Sequence, residues 1–193
     1  MDVSDYLNRL IPHRLDALAI AELMLKFQLS WEEPKQMQIM VDGQLQFDGL
    51  TSMFTNPILE VGILNFRGLM EFVGLKAVGT ALLPLNPQNR RDDDVGIEMF
   101  STPSGPLPLV TPEDVGAENP QDPLAAKAAV ALTIDAANKR LAHFTEAYLS
   151  SPVAARHVQL ACEVTQRIFE RHFYLPLGSR RPAAPIESRR RDG

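Results

Sequence analysis

The densest set of groups able to do chemistry lies in the run Asp135-Ala136-Ala137-Asn138-Lys139-Arg140-Leu141-Ala142-His143-Phe144-Thr145. On a helix, spacings of three, four and seven place Ala136, Lys139, Arg140 and His143 on one face, whereas Asn138 falls away from His143. A cationic group beside an imidazole stabilises phosphate charge while the neutral His143 acts as a base. In the plainer alternative Lys139 and Arg140 are solvated, and His143 is a partly buried packing residue with one hydrogen bond.

Other candidates are more dispersed. Asn65 stands in the apolar stripe Ile58, Val61, Leu69 and Phe72 of an earlier helix, so it either stitches helices together or faces a polar pocket. Arg67 is a second cation for a bound anion, or a surface partner of Glu71 one turn on. Asp92-Asp93-Asp94 supplies oxygen ligands, but beside Arg90 and Arg91 in a proline-rich loop it reads as a solvated turn, and no metal site is expected. His13, His157 and His172 have no partner at ligand spacing. The chain has no phosphate-binding glycine loop, no His-Glu-x-x-His and no serine nucleophile elbow, so no cofactor is expected.

The elements that must position these residues are helical. Pro12 opens a helix to about Ser30 that is apolar over most of its circumference, with Glu22 and Lys26 as an i,i+4 pair. Asn56-Pro57 opens a second to about Leu75, and Gly62 and Gly68 permit close helix contact there. Pro123 begins a third through Ala147 or Tyr148, with a core stripe of Val130, Ile134, Ala137, Leu141 and Phe144. Ser151-Pro152 begins a fourth to about Tyr174. Residues 35 to 53 fit either a β-hairpin about Asp42-Gly43, from the alternation of Met37, Ile39, Val41, Leu45 and Phe47, or a short helix after Pro34; the helical context favours the helix. Eight of fifteen prolines fall between Ala77 and Pro123, which reads as an irregular insertion. The predicted fold is all-α: a four-helix-bundle-like domain over residues 1–178, with a long proline-rich insertion at 77–123 and a disordered basic tail at 179–193.

Charge narrows the function classes. Residues 179–193 hold five arginines and two acids, a balance of +3, so a chain of net charge −5 leaves −8 on the rest, which argues against a broad nucleic-acid-binding face. The tail is read as solvated, or as an arm for RNA or a partner. The single Cys162 cannot form an internal disulfide, no apolar run approaches the ~20 residues that span a bilayer, and the first residues do not read as a secretion signal. Together these predict a cytoplasmic protein without a membrane segment.

Asn138 to Thr145, preceded by Asn65-Phe66-Arg67-Gly68-Leu69 and Glu71-Phe72, resembles HEPN-like helical proteins of prokaryotes over roughly residues 56–76 and 124–172. The resemblance implies a helical bundle, frequent homodimers, and in active members metal-independent RNA cleavage by an arginine, four to six residues, then a histidine. Here Asn138, Ala137 and Ala136 occupy the arginine's possible positions, and the nearest arginine is Arg140. On this resemblance His143, Arg140 and Asn138 form the catalytic set and Lys139, Arg67 and Asn65 contact substrate, in a protein of a bacterial stress, toxin-antitoxin or defence system that binds RNA or nucleotide, either without cleaving it or as a degenerate ribonuclease. The rival expectation is a non-catalytic helical protein-protein interaction module.

Overall fold

The structure, a computed structural model, describes residues 3–139 and 152–182. A short helix α1 (Val3–Asp5) runs through a π-helical stretch (Tyr6–Leu10) into α2 (Ile11–Ser30), with Pro12 at the junction of the two. Trp31 turns extended and ends α2 before Pro34. The chain then forms β1 (Gln36–Val41) and β2 (Gln44–Leu50), paired antiparallel. Asp42 and Gly43 both take positive φ, 50° and 74°, which is what a two-residue hairpin turn demands and why Asp-Gly serves there.

Helix α3 (Thr51–Val73) starts at the base of that hairpin. The Thr51 amide donates to the Lys35 carbonyl (2.8 Å) and the Lys35 amide to the Thr51 hydroxyl (3.0 Å), so hairpin closure and helix start are one structure. Pro57 therefore lies inside the helix rather than at its beginning. After α3 come β3 (Leu75–Val78) and β4 (Ala81–Pro84), then the two-residue strands β5 (Ser101–Thr102) and β6 (Gly105–Pro106). Helix α4 (Pro112–Ala117) opens on a capping box in which Thr111 and Asp114 satisfy each other's amides. Asp122 accepts from the Ala125 amide (2.9 Å) at the head of α5 (Pro123–Lys139), and α6 (Pro152–Phe169) continues into a π-helical turn (Glu170–Tyr174).

Helices α2, α3, α5 and α6 pack together around Leu15, Leu18, Leu59, Phe66, Val130, Val158 and Ile168. The expectation of an all-α four-helix bundle is nonetheless overturned: the described residues build three antiparallel hairpins beside the helices, so the fold is mixed α/β. Residues 35–53, expected as helix, contain the first hairpin, because the two positive φ angles at Asp42-Gly43 and the alternating pattern act together. The proline-rich stretch is folded as well. Phe100 meets Phe72 of α3 and Phe173 at ring-centroid distances of 5.7 and 5.1 Å, and Arg90 grips Glu98 (Nε to Oε1, 2.7 Å) while also reaching the Phe72 carbonyl.

The basic tail expected to be solvated is docked at Arg181, whose Nη2 donates to Asp16 of α2 (2.7 Å) from a largely buried position. Residues 183–193 of that tail lie outside the described residues.

Candidate functional site

Of the residues assigned chemistry from the sequence, Arg140 and His143 lie outside the described residues. Asn138 is exposed on the last turn of α5, which ends at Lys139. Asn65 is a stitch. Its amide donates to the Val61 carbonyl (2.9 Å), and Arg14 Nη1 of α2 donates to its Oδ1 (3.4 Å), so its oxygen links α2 to α3. Arg67 pairs with Glu71 (Nε to Oε1, 3.0 Å) where both are about two-fifths exposed, a geometry that contributes little. Among the described residues no hydrogen bond or ion pair joins Asn65 or Arg67 to Asn138.

The Asp94 carboxylate accepts from the Arg91 amide (3.0 Å), which makes that acidic run a closed turn, and among the described residues no His, Cys, Asp or Glu group converges as a metal site does. A shallow depression lined by Thr102, Ser104, Leu107, Pro108 and Pro176 contains hydroxyls but no ionisable group. Cys162 is buried, and desolvation, followed by the nearby charges of Glu22 and Glu163, pushes its thiol far above the ordinary range, so it is not a nucleophile in the folded chain. No helix of the described residues is long and apolar enough to cross a membrane.

A different feature dominates the surface. Helix α3 buries Leu59, Ile63, Phe66, Leu69 and Met70 on one side, yet its opposite side carries Met53, Phe54, Val61 and Leu64, between 43% and 65% exposed. These four fall within about 100° of arc, a coherent second stripe rather than scattered apolar residues. Pro57, also exposed, lies among them.

The hairpin β1–β2 extends this stripe. No residue of either strand is buried. Met37, Ile39 and Val41 line one face of β1, with Phe47 across from Ile39. Phe47 and the Met53 sulfur both crowd the position of Gly49, so the hairpin's apolar face and the α3 stripe meet there. The register shifts between Ile39 and Met40, a bulge that twists the tip, where Met40, Val41 and Leu45 are 52–55% exposed. The other face carries Gln36, Gln38 and Asp48 at its centre, with Leu50 at one end and the Met40–Leu45 pair at the other. Gln36 and Gln38 donate to the two oxygens of Asp48 (2.5 and 2.9 Å), and these bonds hold its carboxyl below the usual carboxylate range. Phe27, 42% exposed near the end of α2, stacks on Trp31 beside the hairpin's base.

Residues 36–66 contain Asp42, Asp48 and Glu60 but no lysine or arginine. Between these bounds the surface is apolar and without cations, and Lys35 and Arg67 flank it. Sequence reasoning placed Val61 on the core side of α3; the signal for the outer stripe is the recurrence of Met53, Phe54, Pro57, Val61 and Leu64 at spacings of three and four on the side away from Leu59 and Phe66. No family model, curated protein or solved structure matches the chain.

Proposed function

We propose that this protein acts by binding a protein partner through the surface made by the outer stripe of α3 and the hairpin β1–β2. The observation that carries the reading is the half-exposed set Met53, Phe54, Val61 and Leu64 on the side of α3 opposite the core, joined to a hairpin that has no buried residue. Contiguous apolar area beyond a few hundred Å² marks interaction sites on soluble proteins. A two-stranded hairpin is marginal in water by itself, and a partner covering its apolar face supplies the support that the body of the chain does not. Charge separates this reading from RNA binding through the same face: phosphate contacts draw on lysine and arginine, and residues 36–66 offer none.

The test is site-specific photocrosslinking in cells. A photoreactive residue at Leu64 is expected to give discrete protein adducts, whereas the same group at Leu124, exposed on α5, gives none. Equal labelling from both positions, or no adduct from Leu64, removes the reading.

A further inference from the structure

We infer that the occupant of this surface is a second copy of the chain, docked about a two-fold axis so that the hairpin of each copy lies over the α3 stripe of the other. The inference rests on the interaction reading above and names its partner.

Area is the first argument. On the side shared with the α3 stripe, Phe27, Val41, Met53, Phe54, Val61 and Leu64 are 42–65% exposed, and Met37, Ile39 and Phe47 are partly exposed beside them. At ~200 Å² for a fully open side chain of this size, they leave on the order of 700 Å² of apolar surface uncovered. That is close to the ~800 Å² that one partner contributes to a stable protein interface.

Shape is the second. A two-fold interface uses one patch twice, so the patch must supply both an inserting and a receiving part. This surface does: the hairpin inserts, the α3 stripe receives, and both are anchored at Thr51 and Met53. The strands span ~20 Å and the stripe from Met53 to Leu64 rises ~16 Å, so arm and helix match in length.

Charge is the third. Residues 36–66 supply no cation, and Arg67 beyond Leu64 is paired with Glu71, so the surface gives little purchase for an anionic partner or an anionic lipid surface. Asp48 lies on the hairpin face away from the apolar one and is held there by Gln36 and Gln38, so pairing two copies does not set these carboxylates against each other.

Light scattering on the purified full chain at micromolar concentration is expected to give a two-chain mass. Leu64→Glu and Val61→Glu are expected to give a one-chain mass with the circular dichroism of the native body and a thermal midpoint that no longer rises with protein concentration, since both positions are open to solvent in the single chain. Shortening the hairpin by joining Lys35 to Thr51 through a glycine linker is expected to abolish the dimer without touching the α3 stripe. A one-chain mass for the native protein at 100 μM overturns the inference, as does a two-chain mass that survives Leu64→Glu. Adducts from Leu64 with a different protein, alongside a one-chain native mass, overturn the second copy and leave the interaction reading standing. A one-chain mass with cosedimentation on neutral phosphatidylcholine vesicles, and no adduct, overturns both.

Discussion

Gly62 of α3 and Ala21 of α2 meet with no room for a side chain between them: a methyl group at position 62 would overlap the Ala21 Cβ. The contact sets the spacing of the two most closely packed helices, whose outer sides carry the exposed Phe27, Val61 and Leu64. Gly62→Ala gains ~1 kcal/mol of helix propensity. Forcing the helices apart costs ~1–3 kcal/mol. Urea denaturation is therefore expected to show a net loss, relieved when Ala21→Gly is added, with the coupling read from a double-mutant cycle. A Gly62→Ala protein more stable than the native chain contradicts the contact.

Arg90 is the principal clamp of the proline-rich stretch. Its guanidinium is almost wholly buried, holds both Glu98 oxygens at 2.7 and 3.3 Å, and reaches the Phe72 carbonyl near the end of α3 (3.3 Å). Arg90→Ala strands a half-buried carboxylate and is expected to cost about 3 kcal/mol. Arg90→Lys should recover only part of this, because an ammonium lacks the planar fork that spans two oxygens and a carbonyl. Hydrogen exchange is expected to speed up across residues 85–107 in both variants, and unchanged protection there would show that the clamp is dispensable.

Burial also fixes a pH limit. Desolvation pushes the Cys162 thiol upward, with Glu22 and Glu163 adding to the effect, and desolvation likewise raises the Tyr174 phenol. Both groups stay protonated in the fold at pH values where the unfolded chain ionises, so the unfolded state holds fewer protons and gains stability as pH rises. Folding stability is thus expected to fall above about pH 9 through Cys162 and more steeply above about pH 10 as Tyr174 joins it, by up to ~1.4 kcal/mol per pH unit for each group. Urea midpoints between pH 8 and 10.5 measure the slope, which Cys162→Ala should make shallower. A native thiol that reacts with iodoacetamide at pH 8 as fast as a free cysteine would contradict this burial.

The long helices were legible because local signals mark them: Pro12 and Pro123 near helix starts, and three-four spacing in Leu15, Leu18 and Leu25 or Val158, Ala161 and Val164. The rest depended on partners distant in sequence. Asn56-Pro57 reads as a helix start, but the bonds between Lys35 and Thr51 accompany a start six residues earlier. The order in residues 77–123 comes from Phe72, Phe100 and Phe173 meeting across a hundred residues, which no local period reveals. Asp42-Gly43 carried the hairpin signal in full, and helical neighbours outweighed it wrongly. Of the candidate site, Asn65 was legible as a polar residue needing a partner; that the partner is Arg14 required the packed structure.

The bond from the Tyr174 hydroxyl to the Leu7 carbonyl (3.3 Å) and the grip of Arg181 on Asp16 tie the first helical stretch to residues made about 165 positions later. On the ribosome, α2 emerges early and must wait with one flank bare until residues 174–181 have been synthesised. A protein arranged this way exposes an apolar helix for a long time to the folding machinery of the cell, and truncating the nascent chain before Tyr174 should make it a client of ribosome-associated chaperones.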